Sequence, residues 1–261
     1  MAVGGLWVSL LLLAGIVAAV ALCRLAARRR PGALLAEMLS TFQICACTNE
    51  LCLLAAAELQ PRAALTLTYG FTVLHGWTLA GSTCNPCGTL QQLWAAAVPL
   101  KAGGLRIGAQ FAAAVLARGF MHLVWSLEIA EPHSGALWQR CSDPLQTTEA
   151  QAFFIELLFS AVFQLAVLQL HTIHPNLRVH FIALLITMLV YAGGNLTGAI
   201  FNPALAFSLH PYCFYDKFLS YSLVYWIAPC LGKFLKLSKV FFFLPELDQM
   251  TRYLGIIIIG P

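Results

Sequence analysis

Two asparagine-proline pairs, Asn85-Pro86 and Asn202-Pro203, lie between strongly apolar segments of the sequence. Asparagine is a favourable N-cap and proline is favoured in the first turn of a helix, so each pair predicts the start of a helix. The apolar segments that follow are too short to cross a bilayer. We therefore predict two half-helices, one from Cys87 to about residue 98 and one from Ala204 to about residue 210.

The N-termini of two half-helices that enter a membrane from opposite faces would meet near its middle. Each N-terminus carries partial positive charge and therefore repels cations, including hydronium. The side-chain amides of Asn85 and Asn202 can each donate a hydrogen bond to the oxygen of a passing molecule. The chemistry that this pattern predicts is the passage of a small neutral molecule, with no bond made or broken. No catalytic residue and no cofactor are needed for it.

The composition indicates which elements hold these asparagines. Of the 261 residues, 60% are hydrophobic and 10% are charged, which is typical of a polytopic helical membrane protein. Most Lys and Arg residues fall on one face if the segment before residue 33 is cytosolic, which sets the orientation by the positive-inside rule. No basic face with interleaved aromatics appears, so the expected surroundings are a lipid bilayer and no nucleic acid. The candidate spans are residues 2–23, 33–56, 64–80, 106–127, 151–172, 178–195 and 218–243.

The first apolar run resembles a signal peptide, but its basic residues follow it instead of preceding it. A cleaved signal has the reverse order. We therefore predict an uncleaved extra helix with its amino end outside, and the alternative is a helix that lies along the membrane interface.

The remaining spans form an internal repeat. Gly81 and Gly198 each stand four residues before an asparagine, and Glu37 and Glu156 precede the two asparagines by 48 and 46 residues. Three spans in each half place the two halves in opposite orientations, and interrupted segments at corresponding positions indicate a site at the bilayer midplane. The predicted regions are an N-terminal helix with a basic linker (1–30), a first repeat (31–127), a loop (128–149), a second repeat (150–243) and a tail (244–261).

At these residues the sequence resembles the aquaporin (major intrinsic protein) family over about residues 33–243. The resemblance implies an all-α membrane fold, a right-handed bundle of six spans with two re-entrant half-helices, to which this chain adds its N-terminal helix. It also implies a homotetramer with one pore in each protomer. The reading Asn85-Pro86-Cys87 instead of Asn-Pro-Ala resembles the divergent intracellular branch, which implies the endoplasmic reticulum membrane or other intracellular vesicle membranes. The motifs that carry the resemblance are Asn202-Pro203-Ala204, Glu37, Glu156, Ala109-Gln110 and Tyr225-Trp226-Ile227-Ala228-Pro229.

A carboxylate inside a membrane span needs partners. The family resemblance implies that Glu37 and Glu156 each accept hydrogen bonds from backbone amides of the adjacent re-entrant loop, with Gln110, Gly81 and Gly198 as structural support. The alternative is a proton relay, which would need a line of titratable residues between the two glutamates.

Most members of the family have an arginine directly after the second Asn-Pro-Ala, where this chain has Leu205. The exchange removes a fixed positive charge and a hydrogen-bond donor from the narrowest part of the expected pore. We expect a more apolar filter that passes glycerol and hydrogen peroxide as well as water. Leu65 and Val190 are the candidates for two other filter positions.

Several of the cysteines could have a role beyond packing. Cys87 is either a small packing side chain or a thiol that mercurials and oxidants reach. Cys84-x-x-Cys87 has the spacing of a zinc or redox site, but no matching His or Cys pair follows, so we expect no metal. Cys141 and Cys213 fall in loops on the luminal or outer side, and we predict that they form a disulfide with each other or across protomers.

Three functions from different classes stay open at this point. A passive channel fits the half-helices, a non-conducting membrane scaffold fits the departures at Cys87 and Leu205, and an ion-coupled transporter also uses broken helices. The transporter would need a coordinating carboxylate beside Asn85 or Asn202.

Arg118 and His122 are four residues apart and therefore share one face of a helix. We predict that they serve either a contact between protomers or the pore.

Overall fold

The computed structural model describes residues 3–27, 33–56, 61–136, 145–170 and 173–234, which are helical in large part and contain no strand. The elements, in chain order, are α1 (Val3–Ala27), α2 (Ala33–Ala56), α3 (Pro61–Thr78), α4 (Pro86–Trp94), α5 (Leu100–Ser126), a 3₁₀ turn (Glu131–His133), α6 (Glu149–Gln169), α7 (Pro175–Thr197), α8 (Pro203–Leu209), α9 (Pro211–Asp216), α10 (Phe218–Ser222), a π-helical turn (Leu223–Ile227) and α11 (Ala228–Phe234).

Five of these helices, α1, α2, α5, α6 and α7, are long and apolar enough to cross a membrane. The predicted all-α membrane fold is confirmed. The last span, predicted as residues 218–243, is helical over its described part, residues 218–234, where α10 continues through the π-helical turn into α11. The short helix α9 precedes this span and ends at Asp216. Some predicted parts lie wholly or partly outside the described residues, among them the C-terminal tail (244–261), the end of the last span (235–243) and residues 137–144 of the loop at 128–149.

The two repeats pack in the same way. Within the first repeat α2 lies against α5, and within the second repeat α6 lies against α11. Small residues let these helices approach closely, as membrane helices commonly do. Gly232 of α11 faces the Leu157 carbonyl of α6 so closely that a Cβ would overlap it.

Each half-helix packs against helices of the other repeat. Helix α8 of the second repeat packs against α2 and α5 of the first, and α4 of the first repeat packs against α11 of the second as well as against α5. Each half-helix therefore completes the core of the other half of the chain. This exchange brings the N-termini of α4 and α8 together.

Candidate functional site

Each half-helix begins at an asparagine that caps it. Asn85 lies before α4 with an extended backbone, and its Oδ1 accepts a hydrogen bond from the Cys87 N–H at 2.9 Å. Asn202 does the same before α8, where its Oδ1 accepts from the N–H groups of Ala204 at 3.1 Å and Leu205 at 3.4 Å. The cap satisfies backbone donors that have no partner inside the helix. The Asn-Pro pairs thus start helices as predicted.

The two asparagines also join the half-helices to each other. Asn85 Nδ2 donates to the Phe201 carbonyl at 3.0 Å, and Asn202 Nδ2 donates to the Cys84 carbonyl at 2.9 Å. Each donor therefore holds the residue that directly precedes the opposite asparagine. The structure brings Asn85 and Asn202 together at one point of the bundle.

The loops that lead to the asparagines have matching backbone turns. Gly81 and Gly198 have φ angles of +88° and +83°, and Cys84 and Phe201, each one residue before its asparagine, have φ angles of +55° and +33°. Residues other than glycine rarely adopt this left-handed region of backbone angles. Both loops therefore need support from outside to keep their carbonyls pointed at the opposite asparagine.

Glu37 supplies this support in the first repeat. The carboxylate of this buried residue accepts from the N–H of Thr83 at 3.0 and 3.1 Å and from the N–H of Cys84 at 2.5 Å. Gln110 Nε2 of α5 donates to the same carboxylate at 2.8 Å and to Thr89 Oγ1 in α4 at 2.9 Å. The carboxylate therefore fixes the backbone directly before Asn85.

Glu156 does the same in the second repeat. It is fully buried and accepts from the N–H groups of Ile200 at 3.1 Å and Phe201 at 2.7 Å. The Thr197 hydroxyl donates to it at 2.7 Å, and the Tyr225 hydroxyl donates to the Thr197 carbonyl at 2.7 Å. Thr197 and Tyr225 were not identified as site residues from the sequence, since nothing in their spacing marks them as partners of a glutamate.

The structure places one of the three predicted filter residues beside the asparagine pair. Leu205, one residue after the second Asn-Pro-Ala, is half-buried and packs against the cluster around Ala204 and against the cluster around Tyr225. Val190 of α7 packs against the cluster that contains Phe201. Leu65 lies on α3 and is half-buried. Of these three, Leu205 lies directly beside the asparagine contact.

The sequence did not predict the partner of Cys87. Cys87 is fully buried and forms a disulfide with Cys230 of α11, with a Cα–Cα distance of 4.7 Å. Neither reading of Cys87, a packing side chain or an accessible thiol, included this bond. Cys84 has a free, buried thiol. Among the described residues no three His, Cys, Asp or Glu side chains lie close enough together to hold a metal ion.

The predicted luminal disulfide falls partly outside the described residues. Cys213 is buried and disulfide-bonded, whereas Cys141 belongs to the part of the chain that is not described. The pairing of Cys141 with Cys213 stays a prediction.

Arg118 of α5 forms contacts inside its own chain. Its Nη1 donates to Asn49 Oδ1 at 2.9 Å, and its guanidinium lies 5.1 Å from the centre of the Trp125 ring. Asn49 Nδ2 in turn donates to Ser208 of α8 at 2.9 Å. Arg118 therefore ties α5 and α2 to the second half-helix.

The N-termini of α4 and α8 thus meet in a junction, with the two asparagines at its centre and apolar side chains such as Leu205 beside it. Two amide groups meet at its centre, and the carboxylates behind them are occupied by N–H donors. Such a junction can bind and release an uncharged molecule by hydrogen bonds, and it holds no arrangement for making or breaking a covalent bond.

Comparisons with known proteins agree with this geometry. The family model for "Major intrinsic protein" matches residues 25–237. The chain is 43% identical to aquaporin-11 of Equus caballus over 244 residues, which cover 93% of this chain and 90% of that protein. It is 41% identical to aquaporin-11 of Homo sapiens over 248 residues, which cover 94% and 90%. Mouse aquaporin-12 is 30% identical and covers 89% of this chain, with 86% of its own length matched.

A solved structure has the same fold at low sequence identity. The aquaglyceroporin from Plasmodium falciparum superposes with a TM-score of 0.61 at 18% identity, over 77% of this chain and 90% of that chain.

Proposed function

Because the chain belongs to the major intrinsic protein family, it is a membrane channel and not an enzyme, and we propose that it conducts water and small neutral solutes passively. The observation that carries the proposal is the contact between the two asparagines. Each amide nitrogen gives one N–H to the opposite loop. A primary amide nitrogen has two N–H groups, so a second one at Asn85 and at Asn202 is left to donate to a solute oxygen. Both side chains retain slight exposure, 9% and 8%.

The charge distribution favours uncharged solutes. Two helix N-termini face the junction, and their partial positive charges repel cations and hydronium. The carboxylates of Glu37 and Glu156 face the backbone amides of their own loops. We infer from this a scaffold role for both glutamates, because a proton relay or a coordinated ion would need a carboxylate that faces the passing solute.

The solute range that we propose rests on Leu205. Residue 205 is a leucine, so this position offers neither the cationic group nor the hydrogen-bond donors of an arginine, and Leu205 packs among apolar neighbours. We propose that glycerol and hydrogen peroxide pass in addition to water, because the apolar wall accepts the carbon backbone of glycerol while the asparagine amides receive its hydroxyl oxygens.

The location and assembly that we propose are those of the divergent intracellular branch. The first motif reads Asn85-Pro86-Cys87, and this departure supports residence in the endoplasmic reticulum membrane or other intracellular vesicle membranes. We propose a homotetramer in which each protomer has its own pore. Chemical cross-linking in native membranes and fractionation of organelles test these two points separately.

Flux measurements on the purified full chain test the function. Proteoliposomes and empty liposomes are compared in a stopped-flow instrument for water, glycerol and hydrogen peroxide, together with an internal pH dye for proton leak. We expect all three solute fluxes to exceed those of empty liposomes without added proton leak. Asn202→Asp, which replaces the N–H donor to the Cys84 carbonyl by an oxygen, should lower water flux and admit protons.

Asn176→Asp is the matched control, because Asn176 is exposed in the first turn of α7 and should leave the fluxes unchanged. Fluxes of the folded parent chain that equal those of empty liposomes would reject the channel. In that case the alternative function, a membrane scaffold that keeps the fold without conducting, would replace it.

A further inference from the structure

Helix α1 lies outside the family match except for its last three residues, and it packs against the bundle. The match begins at residue 25, directly after Arg24 in the last turn of α1. One face of α1 buries Leu13, Ile16 and Val20, of which Leu13 and Ile16 join the cluster that contains residues of α2 and α5. The opposite face keeps its large apolar side chains exposed, as expected for a lipid-facing helix. Helix α1 is therefore an added span with a fixed position.

Arg24 extends from the end of α1 to the first re-entrant loop. Its Nη2 donates to the Ala80 carbonyl at 2.9 Å, and its Nη1 donates to Ser82 Oγ at 2.9 Å. The same Nη1 donates to the Ala36 carbonyl of α2 at 3.1 Å and to Ser40 Oγ. A guanidinium presents its donors in a rigid planar fork, so it can hold acceptors from several chain segments at once. Here it joins α1, α2 and the loop.

The segment that Arg24 holds leads directly to the asparagine junction. After Ser82 come Thr83 and Cys84, whose N–H groups bind Glu37, and the Cys84 carbonyl accepts from Asn202. Glu37 fixes the loop from the side of Asn85, while Arg24 fixes it at Ala80, next to the left-handed turn at Gly81. If Arg24 is removed, the early part of the loop loses two of its hydrogen bonds.

We propose that Arg24 is a positioning residue for the pore, through which the added helix α1 braces residues 80–84 so that the Cys84 carbonyl faces Asn202. The inference rests on the proposed channel function for its consequence, because a misplaced loop would lower conduction. The brace itself is a property of the loop and can be measured without any flux.

The thiol of Cys84 reports the position of the loop. Cys84 is 4% exposed, and Cys47 of α2 is fully buried outside the loop, so Cys47 serves as an internal reference for general loosening. The full chain in lipid nanodiscs is treated with N-ethylmaleimide, and labelling of each cysteine is followed by peptide mass spectrometry. We expect Arg24→Gln to raise the labelling rate of Cys84 about tenfold, which corresponds to about 1.4 kcal/mol of loop opening, with Cys47 unchanged.

Two further variants keep the test decisive. Ser82→Ala removes one acceptor of Arg24 and the bonds of the Ser82 hydroxyl to Ser40 and to the Ala36 carbonyl, while it keeps the bond from Arg24 to Ala80, so it should raise Cys84 labelling as well. Arg178→Gln, on a half-buried arginine of α7, should leave it unchanged. Cys84 labelling within twofold of the parent in Arg24→Gln, or a rise shared equally by Cys47, would overturn the brace. Water flux, measured in parallel, decides the channel function independently, because protection of Cys84 by Arg24 is read even in a chain that does not conduct.

Discussion

The exchange Glu37→Gln tests how the first re-entrant loop is held. The carboxylate accepts N–H groups of Thr83, Cys84 and Gln110. A hydrogen bond to a charged acceptor contributes about 1.5–3 kcal/mol, and one to a neutral acceptor contributes about 0.5–1.5 kcal/mol. Glutamine keeps an oxygen for the three donors but loses the charge, so each bond weakens by about 1 kcal/mol and the variant loses about 3 kcal/mol in total. Its amide nitrogen also replaces the second oxygen that faces Thr83.

This loss should appear in both stability and conduction. For a chain of this size a destabilisation of 1 kcal/mol lowers Tm by about 2–4 °C, so we expect Tm to fall by about 6–12 °C in thermal unfolding of the detergent-solubilised protein. Water flux per folded protein should fall as well, because the loop that carries the Cys84 carbonyl is less well held. Glu128→Gln serves as the control, since Glu128 is exposed beyond the end of α5. A Glu37→Gln variant with both Tm and water flux equal to those of Glu128→Gln would refute the assigned role of the carboxylate.

Three other predictions concern the pore wall and the disulfides. Leu205→Arg should lower glycerol flux relative to water flux in proteoliposomes while Leu205→Met keeps the parental ratio, and an unchanged ratio in Leu205→Arg would place residue 205 away from the filter. Because Cys87 is buried and bonded to Cys230, mercuric chloride should inhibit water flux more strongly after dithiothreitol, and the double variant Cys87→Ala/Cys230→Ala, which has neither thiol, should abolish that increase. Inhibition of the untreated parent that Cys87→Ala removes would show instead that Cys87 carries a free thiol. Cys213→Ser should change mobility on a non-reducing gel and release a free thiol at Cys141, and unchanged mobility with both thiols free in the parent would contradict the predicted pair.

The sequence could predict the features that depend on local chemistry. The N-cap preference of asparagine and the N1 preference of proline are properties of neighbouring residues, so the starts of α4 and α8 followed from the sequence alone. Hydrophobic length gave the long helices in the same way. The described part of the last span is helical as predicted, but the sequence did not mark the π-helical turn at Leu223–Ile227 inside it, since these five residues include no proline or glycine.

Features that depend on packing between distant helices could not be predicted. The bond between Cys87 and Cys230 joins residues 143 positions apart, and it needs the contact between α4 and α11 that only the folded chain provides. The hydrogen bond from Arg24 to the Ala80 carbonyl could not be predicted either, because in the sequence Arg24 is one of several basic residues after an apolar run. The bond depends on the packing of α1 against α2, which the spacing of residues does not indicate.

The reciprocal bonds of the asparagines have a consequence for how the protein is made. Asn85 and its acceptor at Phe201 are 116 positions apart, and Asn202 and its acceptor at Cys84 are 118 positions apart. A ribosome therefore releases the first re-entrant loop into the translocon long before the groups that complete it exist. Until Asn202 has been synthesised, the Cys84 carbonyl lacks the donor that it has in the folded chain. The contact between the two half-helices can therefore form only after most of the second repeat has been made.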